Sequence, residues 1–130
     1  MSATIWFIDD DPISNLICMA MTKKMQVPPA VKSHVSAAAA LTELENSDAW
    51  PSLIFLDLNM PGCDGWEFLE RFHRIAQQKA TKVVVLSSSI QENDVHRAET
   101  DPAVHAYLSK PLNWEDLQSL NLEPTARLAS

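Results

Sequence analysis

The stretch SLIFLDLNMPG (residues 52–62) is an apolar run closed by an aspartate and then by a turn. Ser52 to Leu56 is a nearly continuous apolar run with no polar alternation, so both faces of the segment must be covered, as in a central strand of a parallel sheet held between helices. Pro61 and Gly62 end regular structure just beyond it. Asp57 therefore stands at the carboxyl end of a buried strand, the edge along which open α/β sheets bind their ligands.

Working outward, two further runs have the same character, Thr4 to Ile8 and Lys82 to Leu86. Val31 to Val35 and Ala106 to Leu108 are more polar or shorter, which places them at or near sheet edges. Helix-like stretches alternate with these runs, the signature of an α/β domain with a parallel sheet. From Pro12 to about Lys24 the spacing puts Ile13, Leu16, Ile17, Ala20 and Met21 on one face, predicted to pack on the sheet. Ala37 to Glu45 repeats the pattern with Ala37, Ala40, Leu41 and Leu44, and a third helix does so with Phe68, Leu69, Phe72, Ile75 and Ala76. Ile90 to about Thr100 has only Ile90, Val95 and Ala98 to anchor it, so it is expected to be the most easily shifted helix. Trp114, Leu117 and Leu120 mark a short last one. Asp11 before Pro12, Asp64 with Glu67, Ser89 with Glu92, and Asn113 before Trp114 read as helix starts.

The residues that follow the strands form a coherent chemical set. Asp9, Asp10 and Asp11 follow the first, Asp57 and Asn59 the third, Ser87 the fourth, and Lys110-Pro111 the fifth. Carboxylates converging on one pocket repel unless a cation neutralises them. Oxygen-only ligands suit magnesium, with manganese as an alternative, and Lys110 supplies a fixed positive charge. An ionised aspartate is already a nucleophile at neutral pH, so Asp57 can accept a phosphoryl group without a general base, while Lys110 and the Ser87 hydroxyl offset charge on the transferring group. Asp11 is read as a cap rather than a ligand, and Asn59 fits either a turn or a carbonyl donor.

Taken in order, Asp9-Asp10, Asp57, Ser87 and Lys110-Pro111 resemble the receiver domain of two-component response regulators, in its stand-alone, chemotaxis-type single-domain form. The most specific part is Leu56-Asp57-Leu58-Asn59-Met60-Pro61-Gly62, continuing to Asp64-Gly65. The resemblance implies a flavodoxin-like, doubly wound five-stranded parallel sheet in the order 2-1-3-4-5 with helices on both faces. It also implies that Asp10 and Asp57 hold magnesium through their side chains, Asn59 through its carbonyl and Asp9 through water. Ser87 and Tyr107 would then form a coupled switch, and Lys110-Pro111 a cis peptide. The implied donor is a histidine kinase or histidine phosphotransfer protein, and an unknown downstream protein reads the change.

The chain has 130 residues, 46% apolar and 21% charged, enough for one compact domain, expected over 1–121 with a short tail over 122–130. A net charge of -7 opposes binding to nucleic acid or anionic lipid. Cys18 and Cys63 have no metal-ligand spacing and read as incidental reduced thiols of a cytoplasmic protein. The four histidines are scattered without a ligand pattern, Trp6 and Trp66 read as packing residues, and Tyr107 and Trp114 suit packing or partner contact equally. An aspartyl phosphatase fits less well, because Asn59 cannot transfer protons as a second aspartate there would. The acidic first loop likewise opposes a flavin phosphate. No turnover of an external substrate is expected.

Overall fold

The computed structural model describes residues 4–26, 28–47, 49–58, 65–76, 81–88 and 92–120. Its elements run β1 (Thr4–Ile8), α1 (Pro12–Thr22), β2 (Ala30–His34), α2 (Ala37–Glu45), β3 (Leu53–Leu56), α3 (Gly65–Ala76), β4 (Lys82–Ser87), α4 (Glu92–Glu99), β5 (Val104–Ser109) and α5 (Trp114–Ser119). The five strands form one parallel sheet in the order β2-β1-β3-β4-β5. The two more polar strands are its edges, as expected. β5 extends further than its apolar residues indicate, because ladder pairing to β4 also takes in Val104 and the exposed Ser109, with a register shift between them that passes over His105.

Side chains alternate across the pleat, so each central strand feeds two cores. Ile5, Phe7, Leu53, Phe55, Val84 and Leu86 face α1 and α5, where Cys18, Met25 and Leu117 meet them. Trp6, Ile8, Ile54, Leu56 and Val83 face α2 and α3, which contribute Ala37, Ala40, Leu41, Leu44, Phe68, Leu69 and Phe72. Phe7 stacks on its register partner Phe55 at 4.9 Å between ring centres. Each such aromatic, fully buried, contributes about 1.5–3 kcal/mol. Among the described residues, no helix is long and apolar enough to cross a membrane.

Asp11 caps α1 by accepting from the Ile13 N–H, and Asn113 caps α5 by accepting from the Asp116 N–H. Ser36, which the sequence reading passes over, caps α2 in the same way. The expected caps Asp64 and Ser89 lie outside the described residues, as do Asn59, Cys63, Ile90 and the tail over 122–130.

Of the α1 face expected to pack on the sheet, Met21 does lie against the core, but the rest of the reading is overturned. Ile13, Leu16 and Ile17 are 64%, 61% and 57% exposed, Ala20 is exposed too, and the helix buries Asn15, Cys18 and Thr22 instead. Two stripes of helical spacing exist in this segment, and the one with less apolar character turns inward. The reason is polar: the Asn15 side-chain amide donates to the carbonyls of Asp9 (3.1 Å) and His34 (3.3 Å), fixing the rotation of the helix about its axis. Thr22 satisfies its hydroxyl on the Met19 carbonyl, and Cys18 behaves as a small hydrophobe. Asn15→Ala is expected to cost about 1–3 kcal/mol, through two lost bonds and a small void. Denaturant titration should show a lower midpoint at unchanged slope.

Candidate functional site

The parallel register builds the site. Ile8 lies beside Leu56, and Leu56 beside Val85, so the residues just past β1, β3 and β4 come to one edge of the sheet. Backbone bonds then carry each ladder one residue beyond the strands. The Asp9 N–H donates to the His34 carbonyl (3.1 Å), Asp57 to Ile8 (2.9 Å) and Lys110 to Ser87 (2.9 Å). Asp9, Asp57, Ser87 and Lys110 are thus held by sheet hydrogen bonds, whereas Asp10 lies on the loop after β1.

Carboxylate oxygens of Asp9, Asp10 and Asp57 lie within 4.8 Å of one another, Asp9 and Asp57 buried and Asp10 exposed. Lys110 Nζ reaches between them, 2.5 Å from Asp9 Oδ2 and 3.3 Å from Asp57 Oδ2. Asp9 also accepts from the Asp11 N–H at 2.9 Å and from the Ser14 hydroxyl. The peptide before Pro111 is cis, as the resemblance implied. Ser87 is wholly buried at the end of β4. Tyr107, half-buried, pairs with Val85 two residues before Ser87, which puts it on the same face of the sheet as Ser87. Asn59 lies outside the described residues.

Electrostatics follow from this packing. Burial works to raise the Asp9 pKa, but the bonds from Lys110, the Asp11 N–H and Ser14 together outweigh it and hold the carboxyl below its ordinary 3.8. Burial likewise works to lower the Lys110 pKa, yet the Asp9 bond and the charges of Asp57 and Asp9 keep the amine above its ordinary 10.5. A carboxyl with a depressed folded pKa adds stability above its unfolded pKa and loses it as the pH falls through the folded one. An amine with a raised folded pKa adds stability below its unfolded value and loses it at higher pH. In the metal-free protein the contribution of this pair is therefore full between 3.8 and 10.5. Melting temperatures in EDTA are expected to drop as the pH falls below 3.8, and an Asp9→Asn variant should lose part of that drop.

Burial, followed by the Asp9 charge, pushes the Cys18 thiol up to about 11, so it is protonated at neutral pH and plays no nucleophilic part. Three hard oxygen donors beside one lysine fit a small divalent cation of the magnesium type.

Gly65 opens α3 under this cluster. A Cβ there would sit 2.5 Å from Leu58 Cα and 2.7 Å from the Asp57 carbonyl oxygen, both backbone atoms. Gly65→Ala is expected to destabilise by about 1–3 kcal/mol, visible as a lower denaturation midpoint. It should also slow any reaction at Asp57, since the displaced atoms belong to Asp57 and its neighbour.

Sequence reasoning missed Asn15 and Ser14, which orient and bond Asp9. The available signal was a pair of polar residues at the start of an otherwise apolar helix.

Residues 5–120 match the family model described as the response regulator receiver domain. The probable methanogenesis regulatory protein FilR2 of Methanothrix harundinacea is 41% identical over 68 residues, 52% of this chain and 43% of that protein. The phosphate regulon transcriptional regulatory protein PhoB of Klebsiella pneumoniae is 28% identical over 118 residues, 90% of this chain and 49% of that one. The chain thus spans about half the length of the curated relatives it matches. A crystal structure of a two-component response regulator from Cytophaga hutchinsonii superposes with a TM-score of 0.83 at 34% identity, covering 93% of this chain and 96% of that one.

Proposed function

This chain belongs to the response regulator receiver domain family, and from that premise we propose that Asp57 is the residue that accepts the phosphoryl group. Members of the family are signalling switches, phosphorylated by histidine kinases and acting on downstream partners. The observation that carries the assignment is the buried Asp57 carboxylate at the end of β3, next to Asp9 and Asp10 and 3.3 Å from Lys110 Nζ.

In the reading we favour, an Asp57 oxygen attacks phosphorus, the bond from phosphorus to the donor imidazole nitrogen breaks, and the histidine retains the leaving electron pair. Lys110, already poised between two carboxylates, moves its charge to the new phosphoryl oxygens, and the Ser87 hydroxyl donates to one of them. Asp10 and Asp57 would hold magnesium directly, Asn59 through its carbonyl and Asp9 through water. That ion would neutralise charge on the transferring group. Ser87 and Tyr107, on one face of the sheet, form the switch that biases β5 and α4 toward a second arrangement, which a partner protein reads. Hydrolysis returns the Asp57 carboxylate and inorganic phosphate, so the chain loses its own phosphoryl group and turns over no external substrate. We assign the receiver to residues 1–121 and its place of action to the cytoplasm, without contact to nucleic acid or membrane.

Incubation with magnesium and a small phosphodonor such as acetyl phosphate is expected to add one phosphoryl mass, and EDTA to prevent it. An unchanged mass at saturating donor and magnesium would overturn the assignment.

A further inference from the structure

The face of α1 that turns away from the sheet carries a stripe of Ile13, Leu16, Ile17 and Ala20, all exposed. Exposed charges of opposite sign flank it. The exposed Asp11 stands before the helix, and Lys23 and Lys24 follow its last turn. Beside the stripe runs a groove of about 340 Å³, lined by Ile13, Ile17, Leu86, Lys110, Pro111 and Leu112 among others.

We propose that this face is a contact between two copies of the chain, packed with their α1 helices antiparallel about a twofold axis between Leu16 and Ile17. An antiparallel twofold pairs the start of one helix with the end of the other. Leu16 then meets Ile17 of the second copy, and Ile13 meets the small Ala20, which lets the helices approach closely. The acidic start of each helix meets the basic end of its partner. A single stripe whose ends carry opposite charge is complementary to itself, whereas a partner of uniform charge would satisfy only one end. The net charge of -7 opposes association at long range, but at physiological salt it is screened beyond about 8 Å, while the end pairs act at contact. One helix face falls short of the roughly 800 Å² per partner of a standard interface, so the dimer is weak and forms only at high concentration. Because the groove includes Lys110, the second copy covers the approach that a protein phosphodonor would take toward Asp57, yet leaves room for a small one.

Sedimentation velocity from about 10 μM to 1 mM, concentrations at which a weak contact becomes populated, tests the proposal. The wild type is expected to shift from monomer to dimer across that range. Leu16→Glu should stay monomeric throughout, with an unchanged melt and normal phosphoryl uptake from acetyl phosphate. The double change Lys23→Glu, Lys24→Glu should weaken the dimer several-fold, and it keeps the test open should the Leu16 variant fail to fold. A wild type that remains monomeric overturns the proposal and leaves the face to a phosphodonor protein or another partner. A dimer that persists unchanged in both variants overturns it too, because the contact then lies elsewhere. Neither result bears on Asp57 as acceptor, which the uptake measurement reads separately.

Discussion

Replacing Asp57 by asparagine is expected to abolish phosphoryl uptake while leaving the fold standing. Asparagine keeps the shape of the side chain and an oxygen that can accept from Lys110, but its amide is no nucleophile and carries no charge to hold a cation. Stability should change little, because the variant removes one of three clustered negative charges and keeps the Lys110 bond to Asp9. The denaturation midpoint is expected to stay within about 1 kcal/mol of the parent. Intact mass after treatment with magnesium and acetyl phosphate checks the first outcome, and denaturant titration the second. A phosphoryl group that still appears in Asp57→Asn would move the acceptor to Asp9 or Asp10.

Lys110→Ala is expected to act on stability and chemistry together. In the metal-free protein, Asp9 and Asp57 lose the cation that both now contact, and each is nearly buried. Removing one partner of a buried pair leaves charge uncompensated. With the lysine side chain itself 22% exposed, the loss is about 2–3 kcal/mol. Millimolar magnesium should restore part of it, which a melt with and without EDTA would reveal. Loss of a preorganised charge beside the transferring group is expected to slow uptake by about 10²–10³ even with magnesium present. Stability restored by magnesium together with a parental rate of uptake would show that Lys110 only balances the carboxylates.

The pH dependence separates these contributions further. Below the ordinary carboxylate value, protonation of Asp9 gives up the bond that Lys110→Ala also removes, so the two perturbations should add to less than their sum. Asp10, exposed at the mouth of the cluster, is the member expected to matter least to the metal-free fold and most to a bound cation.

The central strands and the polar residues that meet at their ends were legible in sequence. Uninterrupted apolar runs have one physical explanation in a chain of alternating elements, burial on both faces, and a carboxylate after such a run has nowhere to go but the ligand edge. Hence β1, β3 and β4 fell within a residue or two of their bounds, and Asp9, Asp10, Asp57 and Lys110 came together as the strand order requires. The sheet order itself came from resemblance, because periodicity tells which face is buried but not which strand is the neighbour.

What the sequence by itself determined about this protein was the set of buried segments and the chemistry at their ends, since both depend on local pattern and side-chain type. The tertiary structure alone decided the rotation of α1. Two stripes of helical spacing compete there, and hydrophobicity favours Ile13, Leu16 and Ile17, yet a buried amide must be satisfied before apolar area counts. Only when β1 and β2 lie side by side do the carbonyls of Asp9 and His34 come close enough for Asn15 to bond both. That constraint exists between segments and not within one, and it turned the most apolar face of the helix to the outside.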